Sequence, residues 1–305
     1  MKLEGIHHIT AITENAQSNV DFYAGVLGLR LVKKTVNQDN PTVYHLFFAD
    51  EAGDAGSDLT FFEYPGAPRG RAGAGMVHRI VWRVGSAEAL DFWAVRLRAN
   101  DTESERDGDS LVFSDPEGLQ HELKVVDVPD RPLIADHPEV PKEMALRGFH
   151  AVRAYALAPD ASARLLEALE FEPADGGWEA RGEQRGGLYY YDEPPAEGGL
   201  QGAGSIHHVA WASPPEKLLD WREKAMAGGA QPTPEIDRFY FRSVYFREPS
   251  GVLFEIATLG PGFTVDEPLE SLGEKLSLPP AFEHLRDEVE PRLRPVVNPR
   301  LSAQG

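Results

Sequence analysis

The chain has 305 residues, 42% hydrophobic and 26% charged, the balance of a globular protein long enough for two ordinary cores. A formal charge of −19 lacks the basic footprint that nucleic acid or an anionic membrane needs, and zero cysteines exclude disulfides, thiolate metal sites and a cysteine nucleophile. No apolar run approaches the roughly 18 residues of a spanning helix, and no charged segment followed by an apolar core opens the chain, so a cytoplasmic protein without a signal peptide is expected.

Four stretches repeat one order of elements: a short strand, an amphipathic helix, then strands that close on a turn. In the first, residues 6–12 read as a strand. Residues 16–27 then carry Val20, Tyr23, Ala24 and Leu27 at helical spacing, and Gly28 stops the helix. Strands are expected at 29–35, 43–49 and 59–64. The second stretch has a strand at 77–84, a helix at 87–99 and a hairpin ending at 120–125. Residues 127–147 follow as a linker rich in proline (Pro129, Pro132, Pro138, Pro141). The third and weakest stretch has a strand at 149–157, a helix at 161–169 and a late strand at 187–191. The fourth has a strand at 206–212, a helix at 215–227 and strands at 239–247 and 252–258. Asp115-Pro116-Glu117-Gly118 and Glu248-Pro249-Ser250-Gly251 are equivalent turns, with Pro presetting φ and Gly supplying the left-handed residue of a three-residue hairpin loop. Residues 259–305 form a polar tail with a helical stretch at 281–293, expected to pack on the core. The fold class is α+β, built from four βαβββ modules, with 1–126 and 148–258 each holding a pair.

The chemistry sits in one tetrad that occurs twice, Ile6-His7-His8-Ile9 and Ile206-His207-His208-Val209. The second copy is followed on a later strand by Leu253-Phe254-Glu255-Ile256. Two histidines and a carboxylate are the donor set of non-haem Fe(II) sites with open positions. Side chains alternate along a strand, so one imidazole of each pair faces a given side, and Thr10 shares the face of His8. Glu255 would be a charged group in an apolar strand, a cost that a bound cation removes. Phe62-Glu63-Tyr64 can be laid over Phe254-Glu255-Ile256, which makes Glu63 a candidate fourth ligand, although Tyr64 and Pro65 place it at a strand end near solvent. In the middle modules, Arg79 takes the place of His8, Glu122 that of Glu255, and His150 lies in the ligand register. Arginine cannot coordinate a cation, so this pair reads as a structural copy with Arg79 paired to Glu122. The three-residue loop after Glu248 puts Tyr245 across from Glu255.

Four βαβββ units with His on the first strand and Glu on the last resemble the vicinal oxygen chelate superfamily, which includes glyoxalase I, extradiol dioxygenases and bleomycin-resistance proteins. The resemblance is tightest at His7-His8-Ile9-Thr10, His207-His208, Arg238, Tyr245, Phe254-Glu255 and Gly262-Phe263-Thr264, where it is closest to hydroquinone-type ring-cleaving dioxygenases. It implies two cup-shaped pseudo-barrels of mixed sheet, the first module pairing with the fourth. It also implies iron ligands His8, His208 and Glu255, with Tyr245, Arg238, Thr10, His7 and His207 around the site. Phe47, Phe61 and Phe254 are candidate walls.

The expected function is therefore Fe(II)-dependent ring cleavage of hydroquinone-like or catechol-like phenols, with dioxygen as co-substrate. Arg238 would stabilise negative charge, and Tyr245 would hold or give a proton. The alternatives are a glyoxalase-like Lewis-acid enzyme using Mn, Zn or Ni, and a non-enzymatic binding protein of the bleomycin-resistance type. An exposed module edge leaves room for a homodimer.

Overall fold

The computed structural model describes residues 1–302, with side chains to Arg300. The first module contributes β1 (Ile6–Thr13), β2 (Arg30–Asn37), β3 (Asn40–Ala49) and β4 (Asp58–Glu63). The second contributes β5 (Val77–Val84), β6 (Ser104–Asp107), β7 (Ser110–Ser114) and β8 (Gln120–Val125). The third contributes β9 (Phe149–Tyr155), β10 (Glu172–Ala174), β11 (Gly177–Arg181) and β12 (Gly186–Asp192). The fourth contributes β13 (Ile206–Ser213), β14 (Ile236–Asp237), β15 (Arg242–Arg247) and β16 (Leu253–Thr258). A helix follows the first strand of each module: α1 (Ala16–Val20), α2 (Ala87–Ala99), α3 (Ala163–Ala168) and α4 (Leu218–Ala227).

The strands form two eight-stranded mixed sheets, ordered β14-β15-β16-β13-β1-β4-β3-β2 and β10-β11-β12-β9-β5-β8-β7-β6. The first strand of each module pairs in parallel with its last, β1 with β4 and β13 with β16. The seams β1–β13 and β5–β9 are antiparallel and join the first module to the fourth and the second to the third. Each sheet thus draws on both halves of the chain. The seam strand β1 is buried along its whole length, because its outer face meets helices and its inner face lines the cup. No helix of the described residues is long and apolar enough to cross a membrane.

Local departures from the sequence reading have physical causes. The helix expected over 16–27 is α-helical only in its first turns, and Asp21–Val26 is a π-helical turn closed by Leu27 N–H bonding to the Phe22 carbonyl. The stretch 281–293 is broken into short turns, Glu283–Leu285, Arg286–Val289 and Glu290–Arg292, the last with Pro at its start. The strands β10 and β11 escaped notice because they span only three and five residues and contain Pro173 and Gly177.

The segment between the second and third modules is tied down by one carboxylate. Asp130 accepts from Arg83 Nη1 at 2.5 Å, Arg181 Nη1 at 2.9 Å and the Gly186 N–H at 3.1 Å. Burial raises its carboxyl, but the hydrogen bonds from Arg181 and Arg83 outweigh burial and hold it at about 2. A depressed value stabilises the fold above the unfolded aspartate value, about 3.9, and that stability is lost as pH falls through the folded value. Asp130→Asn is expected to lower Tm at neutral pH. The gap to the unaltered protein should close between about pH 4 and pH 2 in a Tm-against-pH series.

Candidate metal centre

The β1–β13 seam pairs Ile6 with Trp211, His8 with Ala210, Thr10 with His208 and Ala11 with Ile206. His7 and His207 have no partner in that register; each is the extra residue of a β-bulge. A bulge breaks the two-residue alternation. The neighbouring imidazoles therefore meet instead of facing apart, with His7 Nδ1 2.9 Å from His8 Nδ1 and His207 Nδ1 2.8 Å from His208 Nδ1. The alternation argument, which turned His7 and His207 away from the site, is corrected by these two bulges.

The tautomers follow from one carbonyl. His7 Nε2 lies 3.1 Å from the Thr258 carbonyl oxygen, which can only accept, so His7 carries its proton on Nε2. Its Nδ1 then accepts from His8 Nδ1–H, which leaves a lone pair on His8 Nε2. Burial and the neighbouring His8 push the His7 imidazole down to about 3, so it stays neutral. His7 thereby aims a ligand it does not replace. His7→Ala is expected to weaken metal affinity ten- to a hundredfold, read by competition with a coloured chelator.

Three donors converge at the seam, with His8 Nε2 and His208 Nε2 3.3 Å apart. Glu255 Oε2 lies 3.1 Å from the first and 2.8 Å from the second. Donors on one face of an octahedron with bonds of about 2.1 Å stand about 3.0 Å apart, so the set fits a cation on its open side. Glu255 is completely buried, and its Oε2 has no hydrogen-bond partner among the described residues. Its Oε1 accepts from the Ser243 hydroxyl. Burial opposes ionisation of Glu255, yet the imidazoles of His8 and His208 hold it well below the usual carboxylate range. A buried carboxylate oxygen and inward-facing nitrogen lone pairs need a cation between them.

The parallel pairings identify what stands opposite Glu255 by pseudosymmetry. Ala210 pairs with Glu255 on one side of the seam, and Thr10 pairs with Thr60 on the other. Thr60 therefore holds the position where a fourth carboxylate would be, and Glu63 does not. Glu63 is on the opposite face, buried rather than near solvent, accepting the Ala16 N–H at the start of α1 at 3.0 Å. Thr60 Oγ1 bonds Thr10 Oγ1 at 2.9 Å and His45 Nε2 at 2.9 Å.

Above the donors opens a cavity of about 470 Å³. His8, His208, Glu255, Thr10, His207, Arg238 and Tyr245 all border it. Tyr245 pairs directly with Glu255 across β15–β16, as the three-residue loop predicts. Arg238 donates from Nε to Tyr245 Oη at 3.4 Å and holds both Asp39 oxygens at 3.2 Å. Burial and the Glu255 charge push the Tyr245 hydroxyl far up, so it keeps its proton. His45 is clasped between Phe47 and Phe62, with ring centroids at 4.0 and 4.4 Å. Burial, with the neighbouring imidazoles of His8 and His208 adding to it, pushes it well below its ordinary value, so it is neutral.

Of the expected walls, Phe47 borders the cavity, whereas Phe61 and Phe254 do not. They are adjacent to Thr60 and Glu255 on their strands and so point the other way, into the core beside Tyr23 and Trp211. Phe62 and Phe241 take their place. Sequence reasoning also missed His45, Gln38 and Asp39. The available signal for His45 was its i, i+2 relation to Phe47, which puts both on one face of β3.

Comparison with known proteins agrees with this architecture. Residues 5–123 match the family described as Glyoxalase/Bleomycin resistance protein/Dioxygenase superfamily. MhqO of Bacillus subtilis (strain 168), provisionally named a ring-cleaving dioxygenase, is 42% identical over 96% of this chain and 97% of its own. The chlorohydroquinone/hydroquinone 1,2-dioxygenase of Sphingobium indicum is 34% identical over 94% of this chain and 95% of its own. A crystal structure from Bacillus subtilis, provisionally named a dioxygenase, superposes with a TM-score of 0.90 at 39% identity, covering 97% of this chain and 98% of that one. Near full-length likeness at this level places the chain in the Glyoxalase/Bleomycin resistance protein/Dioxygenase superfamily, among relatives named as ring-cleaving dioxygenases.

Proposed function

We propose that this chain is an Fe(II)-dependent ring-cleaving dioxygenase of the cytoplasm, acting on hydroquinone-like or catechol-like phenols with dioxygen. The reading rests on one observation: three donor atoms, two imidazole nitrogens and a carboxylate oxygen, meet within hydrogen-bonding distance of each other on the floor of an aromatic-walled cavity. Three protein ligands leave positions free, which suits iron in oxygen chemistry better than a closed set does. When bound, iron lowers the pKa of a phenol and passes electrons from the ring to dioxygen.

The remaining work belongs to the side chains. Phe47, Phe62 and Phe241 border a slot for a flat ring and keep water from its faces. Arg238, anchored by Asp39, is a fixed cation for oxygen that becomes negative. Tyr245 keeps its proton and offers it at Oη. Neutral His45, joined through Thr60 to Thr10, borders the cavity as a hydrogen-bond partner for a substrate hydroxyl. A glyoxalase-like role needs a second carboxylate ligand, and Thr60 stands where it would be. Mn, Zn or Ni suit the same donors but not electron transfer to dioxygen as well as iron does.

The test is oxygen uptake by anaerobically purified, Fe(II)-loaded protein given hydroquinone. One dioxygen should be consumed per ring opened, with loss of aromatic absorbance. Full iron loading with no uptake on hydroquinone, a chlorinated hydroquinone or catechol would overturn the reading. Ligand binding indifferent to chelation would then favour the sequestering role.

A further inference from the structure

The second sheet repeats the seam of the first. Val77 pairs with Ala154 and Arg79 with Arg153, which makes His78 a bulge; Val81 pairs with Ala151 and Trp82 with Phe149, which makes His150 another. By this register Arg79 stands for His208, Ala151 for His8 and Glu122 for Glu255. His150 is the counterpart of the bulge residue His7 and not of a ligand, which corrects its sequence placement. Ser110 donates to Glu122 at 2.8 Å, as Ser243 does to Glu255. Arg79 Nη1 lies 3.3 Å from the other Glu122 oxygen. A guanidinium thus supplies the positive charge that a metal would bring, as expected for this pair, and the floor of this cup is closed to cations.

The space outside that floor is not closed. A cavity of about 520 Å³ is bordered by Lys124 of β8, His150 and Arg153 of β9, and Tyr190 and Tyr191 of β12. The Lys124 side chain has no ion pair or hydrogen bond among the described residues. His150 is only 9% exposed, and its Nδ1 has no hydrogen-bond partner. A buried ring nitrogen left unpaired is costly, and a ligand acceptor removes the cost. Arg153 uses Nε and Nη2 on Asp192 and lies over the Tyr190 ring, 5.1 Å from its centroid. Two acids, Asp127 and Asp175, also border the cavity, but both are exposed at its rim. On this concave wall Arg153 is matched by Asp192, and Lys124 is the cation without a bound counter-ion among the described residues.

We propose that this second cup binds a small planar organic anion, an aromatic carboxylate or phenolate. Lys124 and the His150 N–H hold the charged end, and the Tyr190 ring and the Val126 and Val128 side chains cover the flat part. The site needs no metal and is independent of turnover in the first cup.

The probe is 4-hydroxybenzoate, titrated calorimetrically into the full chain carrying Arg238→Gln, which removes the cation of the first cup. Saturable one-to-one binding is expected, weaker at high salt. Adding Lys124→Ala should weaken it about tenfold, the scale of one charge-assisted hydrogen bond. Adding His150→Gln should weaken it too, and benzyl alcohol, which has the ring without the charge, should not saturate. Absence of saturable binding in the Arg238→Gln background, or the same affinity with and without Lys124, would overturn the proposal. Neither result bears on ring cleavage, which is read from oxygen uptake.

Discussion

Replacing Glu255 with alanine is expected to strip the centre of metal and abolish ring cleavage while leaving the fold intact. Glu255 supplies the only negative charge among the three converging donors, and its Oε2 lies 2.8 Å from His208 Nε2 and 3.1 Å from His8 Nε2. Loss of an outer-shell partner costs about ten- to a hundredfold in affinity, and loss of a charged ligand should exceed the upper end of that range. Metal analysis of anaerobically purified protein should find close to one iron in the unaltered chain and almost none in Glu255→Ala. Added Fe(II) should raise the Tm of the first, by an amount corresponding to about 4 kcal/mol at a thousand times Kd, and leave the second unmoved. Glu63→Gln is the control. Glu63 accepts the Ala16 N–H outside the site, so this change should keep the metal and cost only about 1 kcal/mol of stability.

Thr60→Glu is expected to have an effect as large and of the opposite kind: metal retained, oxygen chemistry lost. Thr60 pairs with Thr10 as Glu255 pairs with Ala210, so a carboxylate at position 60 enters the cup as the mirror of Glu255. It would occupy a position that substrate or dioxygen needs and would add a negative charge that favours Lewis-acid use of the metal. It also breaks the hydrogen bonds that Thr60 makes to Thr10 and His45. Oxygen uptake should fall by about a hundredfold or more, the scale of removing a preorganised catalytic group. Metal content should be unchanged or higher. Thr60→Ser keeps the hydroxyl and should keep most of the activity.

The sequence carried the modules well, because each opens with a strand and a helix, and the second and fourth add a Pro-x-Gly turn before the last strand, all local signals. It carried the donors because His8, His208 and Glu255 occupy repeated positions in that local pattern. What it could not carry was set by pairing between strands. The bulges at His7 and His207 exist only in the register of β1 against β13, and they decide that each histidine pair acts as a unit. The match of Phe62-Glu63 to Phe254-Glu255 followed residue likeness, whereas the parallel ladder puts Thr60 at that level, three residues earlier. Phe62, one residue from the expected Phe61 and on the opposite face of β4, is the wall. Asp39 and Gln38 reach Arg238 and its carbonyl from the turn between β2 and β3, across some two hundred positions of chain, and no spacing rule connects them.

The account as a whole depends on a cation held between β1 and β13. Anomalous diffraction from crystals loaded with Fe(II) without oxygen tests this most directly. One peak is expected at about 2.1 Å from His8 Nε2, His208 Nε2 and Glu255 Oε2 together. A peak elsewhere, or an empty seam in protein that still opens hydroquinone, would contradict it.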